Sequence, residues 1–136
     1  MTGKLQIKLR EDFLLFAQGG YTGKGVTFDC GNGWYKLIRE AGERLSAIPD
    51  CRPPVQIKEK FGTLRIYLTA YAPGTEDIVL DIETRSAITC ERCGKPGEIR
   101  DIRWIRCYCD ECYRLYKDRG CPGGEFVEEV EMSEEA

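Results

Sequence analysis

Histidine is missing from all 136 residues, and methionine occurs only twice. Without an imidazole the chain has no access to the commonest general base, to the usual catalytic triads, or to any zinc site that includes histidine. Long apolar runs are missing too. Nothing approaches the roughly 18 to 20 consecutive apolar residues that span a bilayer, and residues 1–4 lead into no apolar segment of the secretory kind. A protein of the cytoplasm with no membrane contact is the expectation. A surplus of positive charge is also absent: 20 Lys and Arg face 23 Asp and Glu, and the net charge of -3 argues against a general polyanion binder. What the chain does carry is cysteine, eight in all. In a reducing compartment clustered thiols bind metal more often than one another.

A chain of this length buries one modest core, with room for a metal-stapled appendage. Charge divides it unevenly. Residues 1–84 hold 11 basic and 11 acidic side chains, residues 85–119 hold 9 and 6, and residues 120–136 hold 0 and 6. The expected organisation is therefore an α+β core over 1–89, a four-cysteine zinc finger over 90–119 and a flexible acidic tail over 120–136. The tail reads either as a solvating end or as an acidic mimic that covers a basic surface.

Within the core, Leu9, Phe13, Phe16 and Ala17 recur at helical spacing until Gly19 and Gly20 stop the pattern. The glycine-rich stretch that follows contains Thr22-Gly23-Lys24, but Gln18 and Gly25 stand where a phosphate-binding loop needs Gly and Ser or Thr. Leu37, Ile38, Ala41, Leu45 and Ile48 then predict a core helix ended by Pro49, with Trp34 at its start as core anchor or binding aromatic. Val55, Ile57, Glu59 and Phe61 alternate with polar residues, as do Leu64, Ile66 and Leu68, which predicts a hairpin turning near Gly62. Its opposite face carries Lys58, Lys60, Arg65 and Tyr67, either as a solvated surface or as a platform for phosphates or an acidic partner. A second helix is expected over 75–89, with Thr75 as N-cap and Glu76 and Asp77 in its first turn.

Cys90-Glu91-Arg92-Cys93 and Cys109-Asp110-Glu111-Cys112 are two C-x2-C pairs fifteen residues apart. That spacing suits one zinc ion held by four thiolates, because a two-residue spacer lets both sulfurs of a pair reach the same centre. Gly94 can take the positive φ that closes the first knuckle. A short hairpin between the pairs and a helix beginning at the second pair complete a treble-clef-like or ribbon-like finger. Cys107 is an alternative ligand to Cys109, at the loss of the two-residue spacing. Cys30, Cys51, Cys107 and Cys121 read more economically as buried or incidental thiols than as a second site. Four thiolates close the coordination sphere, so the ion is expected to be structural rather than catalytic.

The segments Cys30-Gly31-Asn32-Gly33-Trp34, Val55-Gln56-Ile57-Lys58-Glu59-Lys60-Phe61-Gly62-Thr63-Leu64-Arg65 and Cys90-Glu91-Arg92-Cys93-Gly94, with Trp104-Ile105-Arg106 and the second cysteine pair, resemble a family of small bacteriophage and prophage proteins. The resemblance spans most of residues 30–112, and its most specific part is Lys58–Arg65. Asn32 stands where the family often carries Asp, and Cys107 where Thr is usual. The family brings no activity with it, so the resemblance implies context: the cytoplasm of an infected bacterium.

Two functions follow as expectations. The first is a non-enzymatic protein that binds a host protein or protein complex, for example as an inhibitor of a host defence system, with zinc as a staple. The second is binding of DNA or RNA through Arg100, Arg103, Trp104, Arg106, Arg114 and Lys117, which interleave charge with aromatic surface. An enzyme is not expected, because Asp12, Asp29, Glu40 and Asp50 are scattered without an acid/base partner. Oligomeric state is not legible at this level.

Overall fold

The computed structural model describes residues 1–101 and 105–119. Arg103, Trp104 and the acidic stretch 120–136 lie outside the described residues, and so does Cys121. The chain opens with α1 (Gly3–Asp12) and a short α2 (Leu14–Ala17). The single helix expected through Leu9, Phe13, Phe16 and Ala17 is thus broken at Phe13, which is extended with φ -128° and ψ 106°. The break has a packing cause. It lets the Phe13 and Phe16 rings meet edge to face at 5.5 Å, while Phe16 meets Phe28 at 5.3 Å. The slot they enter is left by Gly42, where a Cβ would lie 2.9 Å from both rings.

α3 (Tyr35–Ser46) follows a short 3-10 turn over Asn32–Trp34. Its buried residues Leu37, Ile38, Ala41 and Leu45 keep the expected 3.6-residue period. Trp34 is an anchor of the core: the ring is fully buried and its Nε1 donates to the Thr89 carbonyl at 2.8 Å.

A three-stranded sheet faces these helices, with β1 (Phe28–Asp29), β2 (Pro54–Lys60) and β3 (Thr63–Leu68) in that order. β2 and β3 form the expected antiparallel hairpin, and β1 adds a parallel strand that two residues are too short to announce. The Ile57 and Ile66 pair faces the core, whereas Lys58 and Arg65 are paired on the opposite face. Phe61 departs from the expected apolar row. It occupies the turn with Gly62, at φ 53° and 83° respectively, and its ring is 64% exposed. Two consecutive positive φ values match the right-handed twist of a two-residue hairpin turn.

α4 (Thr75–Ser86) packs against β3 and α3. Thr75 is its first helical residue rather than its cap: Gly74 at φ 93° takes the cap position, and the buried Thr75 hydroxyl donates to the Ala72 carbonyl at 2.6 Å. α4 also closes the free edge of β3. The Leu64 N–H donates to Ser86 Oγ at 2.8 Å and the Ile66 N–H to Glu83 Oε2 at 2.9 Å. On the other edge the Phe28 N–H donates to Gln6 Oε1 at 3.1 Å. Strand edges with unpaired donors invite pairing with foreign chains, and side chains here occupy these donors on both sides.

Beyond α4 the chain forms the hairpin β4 (Glu98–Arg100) and β5 (Arg106–Tyr108) and ends its described part in α5 (Asp110–Arg119). Helices, small sheets and a four-cysteine cluster near the C-terminus make an α+β fold with a zinc-finger-like unit. No helix among the described residues is long and apolar enough to cross a membrane.

Candidate metal centre

Each half of the cysteine constellation is built by its local backbone. In the first, Gly94 sits at φ 82°, its N–H donates to the Cys90 carbonyl at 2.9 Å, and the Cys90 N–H donates to the Lys95 carbonyl at 2.7 Å. This tight knuckle turns Cys90 and Cys93 toward one point. In the second, Cys109 directly precedes α5 and Cys112 lies in its first turn, with the Cys112 N–H donating to Cys109 Sγ at 3.4 Å. Helix N-terminal N–H groups favour the thiolate form.

The two halves meet. The sulfurs of Cys90, Cys93, Cys109 and Cys112 all lie within 4.8 Å of one another, and Cys93 Sγ is 3.6 Å from Cys109 Sγ. Four sulfurs about 2.3 Å from a central ion stand roughly 3.8 Å apart, whereas a disulfide needs about 2.05 Å. The donor set therefore fits one tetrahedrally coordinated metal ion. Cys90, Cys109 and Cys112 are buried and Cys93 is half-buried. Beside Cys93 a cleft of about 350 Å³ opens between Lys36, Glu40, Arg85 and Lys95.

Burial and the neighbouring thiols push the Cys93 thiol up to about 11. They also raise Cys112, whereas N–H and thiol donors hold Cys109 below its ordinary value against its own desolvation. A divalent cation supplies the charge that four crowded sulfurs need, so binding it and releasing their protons are one event. Arg92 contributes part of this compensation, its guanidinium lying 3.5 Å from Cys112 Sγ.

Cys107 does not belong to the cluster. On β5 it points into the main core, fully buried, with its thiol donating to the Ala87 carbonyl at 3.3 Å and pushed up to about 12 by that burial. Strand alternation is the reason: Cys107 faces inward, and Arg106 and Tyr108 face the other way. Cys30 is likewise a core thiol, and Cys51 is half-buried with its sulfur on the Arg52 carbonyl.

The metal unit is joined to the core through Glu91. Its N–H donates to the Cys107 carbonyl at 2.9 Å, and its carbonyl accepts from the Gly33 N–H at 2.7 Å. Its carboxylate accepts from the Gly31 N–H at 2.9 Å and reaches Arg106 at 3.5 Å. Arg106 also donates to Glu59 Oε1 at 2.9 Å, and Glu59 Oε2 accepts from the Gly62 N–H at 2.8 Å. A carboxylate in the apolar row of β2 is thereby satisfied. Sequence reasoning missed this bridge, because Glu59, Glu91 and Arg106 are distant along the chain and each is unremarkable alone.

The proposed basic surface of the finger is largely consumed internally. The Arg100 side chain is 11% exposed, bonded to Glu98 at 2.9 Å and Asp110 at 2.7 Å, and it lies 4.7 Å from the Tyr113 ring. Arg106 is 18% exposed between Glu59 and Glu91. Arg114 and Lys117 are exposed on α5, and the Lys117 ammonium sits 4.5 Å from Tyr113. On the hairpin, Lys58 and Arg65 are half-buried and Lys60 is exposed, all three on the outer sheet face. Comparison of the chain with protein-family models, with curated proteins and with solved structures finds no match.

Proposed function

We propose that this is a non-enzymatic binding protein in which one zinc ion, held by Cys90, Cys93, Cys109 and Cys112, acts as a structural staple, and that it works by occupying a host protein or protein complex. The observation that carries the reading is the closed cluster of four sulfurs. A full set of thiolates leaves no position for water or substrate, so the ion's contribution is to folding. The resemblance to bacteriophage proteins supports the setting, a bacterial cytoplasm, and is compatible with inhibition of a host defence system.

A second reading, binding of DNA or RNA through residues 100–117, draws support from the exposed Arg114 and Lys117. It loses support from Arg100 and Arg106, whose charges are neutralised by Glu98, Asp110, Glu59 and Glu91. A tagged pull-down of the full chain from bacterial lysate, with and without nuclease, separates the two. A stoichiometric host protein that survives nuclease and moderate salt is the expected result; recovery of nucleic acid alone, abolished by nuclease, contradicts it.

A further inference from the structure

Several arginines are matched by carboxylates. Arg39 meets Asp12, Arg44 and Arg85 share Glu40 and Asp81, Arg100 meets Glu98 and Asp110, and Arg106 meets Glu59 and Glu91. On the outer face of the sheet the cations are arranged differently. There Lys58 of β2 stands directly opposite Arg65 of β3, and Lys60 follows on the same side two residues along. Like charges in directly opposed positions repel. Among the described residues, neither Lys58 nor Arg65 has an ion-pair partner, and the contact of Lys60 is the Phe61 ring at 5.7 Å. Asp29 lies beside Lys58 in the register but bonds to Thr27 Oγ1 at 3.4 Å.

At the end of this basic row stands Phe61, 64% exposed and held at φ 53°. That φ is set by the two-residue turn it shares with Gly62. Tyr67 continues the same face beside Gln56.

We infer that the outer face of the hairpin, with Lys58, Lys60, Arg65 and Tyr67 and with Phe61 at its tip, docks an extended acidic segment of a partner protein. Three features select this occupant. Side chains alternate with period 2 on a strand, so cations two residues apart stand about 6.6 Å apart and match carboxylates at alternate positions of an extended peptide. Three cations are few for a nucleic acid, whose binders typically neutralise six to ten phosphates. The exposed Phe61 offers an apolar anchor at one end, the arrangement in which a buried aromatic carries affinity and charges fix register. Docking is onto the face and not by strand addition, because Gln6, Glu83 and Ser86 already occupy edge N–H groups. The inference rests on the protein-binding reading above and specifies its surface.

The test uses the full zinc-loaded chain and two fluorescein-labelled probes, a ten-residue peptide of alternating Glu and Thr and a ten-nucleotide thymidine oligonucleotide, read by anisotropy at low and moderate salt. The expected result is binding of the peptide in preference to the oligonucleotide. It should weaken about tenfold or more in Lys58→Glu with Arg65→Glu, and again in Phe61→Ser, while Arg114→Glu on α5 leaves it unchanged. Zinc content and melting temperature of each variant verify folding, and Lys58→Gln with Arg65→Gln gives the same ordering with less perturbation. No peptide binding, binding indifferent to the hairpin variants, or tighter binding of the oligonucleotide each overturns the inference. The lysate pull-down reads the broader proposal separately: a host protein still captured by the Lys58→Glu, Arg65→Glu chain leaves protein binding standing and removes this surface from it.

Discussion

Gly33 and Glu91 are joined main chain to main chain, the Gly33 N–H donating to the Glu91 carbonyl at 2.7 Å. The approach is so close that a Cβ on Gly33 would lie 2.2 Å from the Cys90 carbonyl oxygen and 2.6 Å from that of Glu91. The segment Gly31-Asn32-Gly33-Trp34 is thus the seat on which the first metal knuckle rests, and the finger is continuous with the core.

Gly33→Ala should therefore damage both units at once. Backbone atoms cannot yield as a flexible side chain does, and overpacking of this kind costs about 1–3 kcal/mol, occasionally more. The expected outcome is a lowered melting temperature together with weakened retention of the metal against a chelator. A stable variant with unchanged metal retention would show that the seat is not needed.

Arg106→Ala removes the cation shared by Glu59 and Glu91, two carboxylates that are 17% and 7% exposed. Leaving buried carboxylates without their partner costs roughly 3–5 kcal/mol in closed sites. The lower end is expected here, read as a shift of the denaturant midpoint. If Arg106 were instead a free nucleic-acid contact, its loss would leave stability unchanged.

Ser86→Ala tests the guarded sheet edge. The Ser86 hydroxyl is fully buried, accepts the Leu64 N–H at 2.8 Å and donates to the Glu83 carbonyl. An orphaned buried N–H costs about 1–3 kcal/mol. The loss should appear in equilibrium unfolding, along with faster exchange of the Leu64 amide.

Acid should loosen the contact between α3 and α4 in a defined direction. Arg85, with Arg44, holds the Glu40 carboxyl below its usual range, and Arg44, with Arg85, does the same for Asp81. A depressed folded-state value contributes stability that is present above the ordinary carboxylate range, about 4, and is lost as pH falls through the lower folded value. Both groups are solvent-accessible, so the contribution is modest. Arg85→Met should flatten the part of the stability drop below about pH 4 that these carboxylates cause, measured as the difference from the parent chain. A parallel drop in both proteins would remove this network from the acid response.

Several features of this architecture were legible from residue order alone. The doubled C-x2-C, the alternation from Val55 to Leu68 with Gly62 at the turn, and the period from Leu37 to Leu45 are local patterns, and local backbone geometry realises them. Other features depend on contacts between distant segments. The break at Phe13 answers to Gly42, the strand at Phe28 answers to Ile57, and the charges of Arg100 and Arg106 are cancelled by carboxylates that periodicity does not place. Cys107 was ambiguous as a ligand by spacing, and it is the alternation of a three-residue strand that turns it into the core.

The most direct measurement is the metal content of the purified full chain and its single serine variants by native mass spectrometry, paired with thermal unfolding. The account predicts one zinc ion per chain, lost with collapse of stability in Cys93→Ser, Cys109→Ser and Cys112→Ser, and retained in Cys107→Ser. A metal-free chain of full stability, or an ion that survives Cys109→Ser and is lost in Cys107→Ser, would contradict it.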